Sequence, residues 1–231
     1  MFPYYFDPTY ILVIIGMLIT IAASAKVKST FAKYSRVRSM SGMTGAEAAE
    51  RLLHAAGIYD VKIEHISGHM NDHYDPRTKV LRLSDPVYGQ NSLSAVGVAA
   101  HECGHAIQHE QGYAPLKLRS TLVPVANFGS MAAWPIIILG VIMGFSQTLI
   151  NLGIILFSLA VLFQLITLPV EFNASKRAIA RLGETGILYG DELRHSKKVL
   201  DAAALTYVAA AAATILQLLR LVILFGGRDR D

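Results

Sequence analysis

Four long apolar runs dominate this chain of 231 residues and leave little freedom in how it can fold. A helix needs about 17–25 mainly apolar residues to cross a bilayer. Residues 10–25, 122–145, 149–168 (starting at Thr148 or Leu149) and 202–225 approach or exceed that length. Hydrophobic residues make up 53% of the sequence and charged ones 16%, against about 25% charged in an ordinary soluble domain. The reading is an α-rich membrane protein with about four transmembrane helices. The remaining chain suffices for one small α/β domain.

Charge placement gives the expected topology. Lys26, Lys28, Lys33, Arg36 and Arg38 follow the first run. Lys117 and Arg119 precede the second, and Lys176, Arg177 and Arg181 follow the third. The positive-inside rule puts these ends in the cytoplasm and both termini outside. Residues 122–168 then form a transmembrane hairpin. Residues 1–10 are aromatic without a basic side chain, which suits an interfacial anchor and not the start of a cleaved signal peptide. The resulting division is an anchor and first crossing (1–25), a basic linker with the α/β domain (26–121), the hairpin (122–170), a cytoplasmic segment (171–201), and a fourth crossing with its tail (202–231). Phe31, Tyr34 and Val37 among the basic residues suit either a segment lying on anionic lipid or a solvated linker. Net charge is +4, but no motif or aromatic-basic platform for nucleic acid accompanies it. Cys103 is the single cysteine, so no internal disulfide forms.

Within the soluble part, Thr44-Gly-Ala-Glu47 reads as a capping box opening a helix that Gly57 ends. Residues 61–66 and 79–84 alternate as strands, and Asp75-Pro-Arg-Thr78 reads as a turn. The last strand is expected either to offer an open edge to an extended peptide or to be covered. His65, His69 and His73 recur every four residues, but Gly68, Asn71, Asp72 and Pro76 break any helix there, so that spacing carries no metal site.

Residues 91–112 contain His101-Glu102-Cys103-Gly104-His105. Asn91 or Ser92 can cap the start of a helix here, Gly112 can end it, and no proline intervenes. His101 and His105 then lie one turn apart on one face and can hold a zinc ion, with Glu102 placed to address its water. Cys103 points about 200° around the helix from either histidine and reads as packing. His109 lies about 12 Å along the helix from His101, too far to share an ion. A third histidine at position 111, as one extended motif requires, is replaced by Gln111. The even number of crossings between His105 and Glu171 returns that glutamate to the histidines' side of the membrane. Glu171 is therefore the leading third ligand, with Glu184 and Glu192 as lesser candidates. His195 is a candidate for stabilising an oxyanion, and an exposed surface histidine is the alternative. Arg220 sits in the outer half of the fourth crossing, where it can snorkel.

The pentad at 101–105, together with Leu168-Pro-Val-Glu-Phe-Asn-Ala-Ser-Lys-Arg-Ala178, resembles the YugP-like family of bacterial membrane zinc metallopeptidases. It also looks related to the HtpX and CAAX-prenyl-protease group of membrane gluzincins. The resemblance implies a gluzincin-like cytoplasmic domain in a bacterial inner membrane. It further implies one zinc ion held by His101, His105 and Glu171, with Glu102 as general base. One departure stands out: where the wider group carries an aspartate four residues after the ligand glutamate, this chain has Ser175, which brings no charge to the ligand histidine. The expected activity is endopeptidase action on membrane or membrane-proximal proteins, with the protein or peptide substrate and the lipid bilayer as partners. The competing reading is a non-catalytic zinc-stabilised membrane scaffold or assembly partner. Intramembrane proteolysis fits less well, because residues 91–112 are too polar to span and residues 149–168 contain no aspartate. A transporter would need ionisable residues in the hairpin, which has none. Substrate identity and oligomeric state are not written in the sequence.

Overall fold

A computed structural model describes residues 7–226. Most of the N-terminal anchor and the end of the C-terminal tail lie outside the described residues. The chain runs α1 (Tyr10–Tyr34), α2 (Gly45–Ala55), β1 (Lys62–Ile66), β2 (His73–Asp75), β3 (Val80–Ser84), α3 (Asp85–Tyr88), α4 (Leu93–Glu110), α5 (Ala114–Ile142), α6 (Gln147–Glu184) and α7 (Gly190–Phe225). It divides into two compact units, and α1, α5, α6 and α7 contribute residues to both.

One unit comprises Leu118–Thr167 with the chain up to Ala23 and from Thr206 onward. Its helices α1, α5, α6 and α7 are the four that are long and apolar enough to cross a membrane. Ile11, Leu18, Met131, Ile142 and Ile155 are exposed on them, the arrangement expected of helices solvated by lipid. Small residues let α1 and α7 approach closely: a Cβ on Gly16 would stand 3.2 Å from Ala213 Cα. The α5–α6 turn carries left-handed backbone at Gly144 and Phe145, and the Ser146 N–H closes it on the Gly140 carbonyl at 2.8 Å. Arg220 finds partners inside the protein. Its guanidinium lies 3.1 Å from Asp7 Oδ2 and 4.2 Å above the Tyr10 ring.

The other unit comprises Ser24–Lys117 and Leu168–Leu205. Its sheet has the order β1-β3-β2, with β1 parallel and β2 antiparallel to β3. This order rules out the open-edge alternative for the last strand: β3 is the central strand, and the edges are β1 and β2. Strand β2 forms because the Asp75 carboxylate fixes the following turn. It accepts from Arg77 N at 3.0 Å and Thr78 Oγ1 at 3.0 Å. Leu81 and Leu83 are wholly buried beneath α4, together with Leu52 and Leu53 from α2. The capping box is present: Glu47 N donates to Thr44 Oγ1, and Thr44 N donates to Glu47 Oε2 at 2.8 Å.

All four long helices run past the boundaries read from hydropathy, α5 by starting at Ala114 and not at residue 122. Helix α1 continues beyond residue 25 to Tyr34, since nothing from Lys26 to Lys33 is glycine or proline. Helix α6 runs through Pro169 to Glu184. Helix α7 begins at Gly190 and takes in the polar residues 191–198 ahead of the fourth apolar run. The basic linker that follows α1 is pinned to the start of α4, where Leu93 N donates to the Val37 carbonyl at 2.9 Å.

Candidate metal centre

Helix α4 carries the pentad, and Ser92 caps it by accepting from Ala95 N at 3.2 Å. Cys103 turns away from the histidines into the core, with Sγ 3.5 Å from the Ala49 carbonyl of α2. Burial, followed by the negative charge of Glu102, pushes its thiol pKa up. Gly104 presses on α6: a Cβ there would lie 2.5 Å from the Ala174 carbonyl oxygen. The bare backbone at this position brings α6 close enough for Glu171 to reach the pentad.

His101 Nε2 stands 3.2 Å from Glu171 Oε2, and His105 Nε2 stands 3.5 Å from the same oxygen. The imidazoles are roughly perpendicular, with centroids 4.8 Å apart. Glu171 is 2% exposed, and one ligand atom from each of the three residues lies within 4.8 Å of the others. Zinc bonds of about 2.0–2.2 Å to nitrogen and oxygen place tetrahedral ligand atoms about 3.3 Å apart. The donor set and its spacing therefore fit one such ion. The opposite ring nitrogens are engaged elsewhere. His101 Nδ1 faces Ser175 Oγ at 3.1 Å, and His105 Nδ1 donates to Gln108 Oε1 at 3.0 Å. Both Nε2 atoms are thereby left facing the glutamate. Burial alone would lower the His105 pKa, but the hydrogen bond to Glu171 and the charges of Glu102 and Glu171 outweigh it and raise the value.

Gln108 was not foreseen in the sequence. It is fully buried, and its amide nitrogen donates to the Val170 carbonyl at 2.8 Å and to Asn173 Oδ1 at 2.9 Å. Asn173 Oδ1 also accepts from Arg177 Nε at 2.6 Å. These bonds fix which end of the amide meets His105. The available signal was its position three residues after a ligand histidine, on the same helix face. Glu102 is 7% exposed, and its carboxylate makes no hydrogen bond among the described residues.

The other candidates lie apart from this cluster. Glu184 pairs with Arg181 at 3.1 Å, and Glu192 accepts from Met40 N at 2.7 Å. The His195 ring stacks on Tyr34 with centroids 5.0 Å apart. His109 Nδ1 lies 2.9 Å from Tyr74 OH, and His65 pairs with Asp85 at 2.7 Å. His73 Nδ1 lies 2.8 Å from the Asn71 carbonyl. Among the described residues, His101, His105 and Glu171 form the only group of three or more side chains spaced for a metal.

Four membrane-length helices and this largely enclosed His–His–Glu cluster define a membrane protein with a candidate single-ion metal centre. A family profile described as "Putative neutral zinc metallopeptidase" matches residues 9–226. The chain is 53% identical over 210 residues to the "Putative membrane protease YugP" of Bacillus subtilis (strain 168), covering 90% of this chain and 93% of that one. The chain belongs to this YugP-like family of zinc metallopeptidases. No solved structure matches it.

Proposed function

We propose that the chain is a membrane-embedded zinc-dependent endopeptidase that hydrolyses membrane or membrane-proximal proteins at the cytoplasmic face. The observation that carries this reading is the convergence of His101 Nε2 and His105 Nε2 on Glu171 Oε2, with Glu102 near enough for its charge to act on His105. His101, His105 and Glu171 would hold the metal through these atoms, the gluzincin ligand set. Bound there, zinc supplies Lewis acidity to a peptide carbonyl and to water.

The chain's own groups then have distinct tasks. Ser175 and Gln108 hold the two imidazoles in the orientation that exposes Nε2. Glu102 takes a proton from the attacking water and delivers it to the departing amine nitrogen. Its low exposure and lack of a hydrogen-bond partner leave it available for both transfers. The cytoplasmic placement is supported by the basic residues that follow the first and third apolar runs.

The test compares wild type with Glu102→Gln for zinc content and for cleavage of a denatured membrane-protein substrate. Zinc in both, with cleavage lost in the variant, is the expected result. Cleavage surviving the substitution would sink the mechanism. Zinc in both and cleavage in neither, across a panel of membrane and soluble substrates, would favour the scaffold reading.

A further inference from the structure

Away from the metal cluster, a cavity of about 450 Å³ opens between α1 and α7. From α1 it is lined by Lys26, Thr30, Lys33 and Tyr34, and from α7 by Lys198, Asp201, Ala202 and Leu205. Positions 26, 30, 33 and 34 form one face of a helix, as do 198, 201, 202 and 205. Two continuous stripes therefore face each other across the groove. Lys26 and Lys198 have no carboxylate partner among the described residues, and the Lys33 ammonium lies 5.4 Å from the Tyr34 ring centroid. The one acid in the lining, Asp201, is already paired with Lys197 at 2.7 Å. Three ammonium groups thus surround a space whose only carboxylate is neutralised from outside.

Beside the lysines and a threonine hydroxyl, the lining includes the apolar Ala202 and the half-exposed Leu205. On both helices the groove falls where the charge-free run meets charged residues, at Lys26 on α1 and at Asp201 and Lys198 on α7. That is the level at which lipid phosphates lie when such helices cross a bilayer. Tyr34, 5% exposed and backed by the His195 ring, gives the groove a rigid wall.

We infer that this groove binds the phosphate-bearing headgroup of an anionic phospholipid, with Lys26, Lys33 and Lys198 on the phosphate and Ala202 and Leu205 against the first acyl carbons. The apolar part distinguishes a lipid from free phosphate, which would use the lysines alone. In this site His195 has a structural task, the support of the Tyr34 ring.

The experiment uses the full chain in a neutral detergent at fixed ionic strength. Thermal unfolding is followed while dihexanoyl phosphatidylglycerol, dihexanoyl phosphatidylcholine or inorganic phosphate is added. Phosphatidylglycerol is expected to stabilise saturably, and the other two to have little effect. In the Lys26→Gln/Lys33→Gln/Lys198→Gln variant its apparent affinity falls by about tenfold or more. A charge-matched Lys28→Gln/Lys62→Gln/Arg77→Gln variant binds as wild type does. If the triple groove variant folds poorly, the single Lys26→Gln and Lys198→Gln changes each still weaken binding. Unchanged affinity in the groove variants, or equal loss in the charge-matched control, overturns the site. Stabilisation by inorganic phosphate equal to that by phosphatidylglycerol would assign the groove to a free phosphate and overturn the lipid.

Discussion

The Nδ1–H of His105 is held by Gln108, whose Oε1 lies 3.0 Å away on the next turn of α4. Two donor bonds from the amide nitrogen to α6 keep that oxygen turned toward the ring. A neutral amide thus orients one candidate ligand, as a serine hydroxyl orients the other. Neither histidine is backed by a carboxylate through Nδ1.

Gln108→Leu removes the acceptor while keeping the volume. Loss of such a partner costs about 10–100-fold in metal affinity. The expected outcome is faster release of zinc to a chelator, with the helical circular dichroism spectrum unchanged. Ser175→Asp is expected to act the other way, slowing release by giving His101 a charged partner. Equal release rates in wild type and both variants would show that these bonds do not tune the site.

His101→Ala and Glu171→Ala are each expected to abolish stoichiometric zinc binding, whereas Glu102→Gln retains the ion and loses about 10²–10⁴-fold in turnover. Metal analysis of the purified variants beside a cleavage assay separates the two classes. Zinc loss in Glu102→Gln would make that residue a ligand or a support and not a base.

Gly104→Ala drives a methyl group to 2.5 Å from the Ala174 carbonyl oxygen, an atom of the backbone that cannot rotate away. Overpacking of this kind costs about 1–3 kcal/mol. Because the displaced helix carries Glu171, the variant is expected to lose zinc affinity together with thermal stability. A variant that melts earlier yet binds zinc as wild type does would uncouple helix spacing from the ligand set.

Cys103 is buried, and its thiol pKa is raised first by that burial and then by the Glu102 charge. Only the thiolate attacks alkylating reagents, so a raised pKa suppresses reaction at neutral pH. Maleimide labelling is expected to be negligible in the folded protein and complete after denaturation. Rapid labelling of the native protein would place the thiol outside the core.

Much of this arrangement was legible from the sequence because it rests on local rules. The Thr44–Glu47 box, the Ser92 cap and the one-turn spacing of His101 and His105 depend on residues within a few positions of one another. Hydropathy located the four membrane-length helices but not their ends. Helix formers at 26–33 and 191–198 let α1 and α7 run on through polar residues, where a window of apolar character stops. Sheet order was missed for a different reason. The alternation in residues 79–84 identifies a strand but not its neighbours, and β2 is short enough to be read as part of its turn. Gln108 is not legible because the bonds that orient its amide reach Val170 and Asn173, 62 and 65 positions further along the chain.

The contact between Gly104 and the Ala174 carbonyl bears on how such chains are recognised. Patterns written for this chemistry name the two histidines and the glutamate and leave the intervening positions free. In this fold those positions are not free: Cys103 is packed against α2, and Gly104 must carry no side chain at all. A chain that kept every named residue and placed a bulky side chain at 104 would satisfy the pattern while holding its third ligand out of reach. A search for working members should therefore weigh the two unnamed letters as heavily as the three named ones.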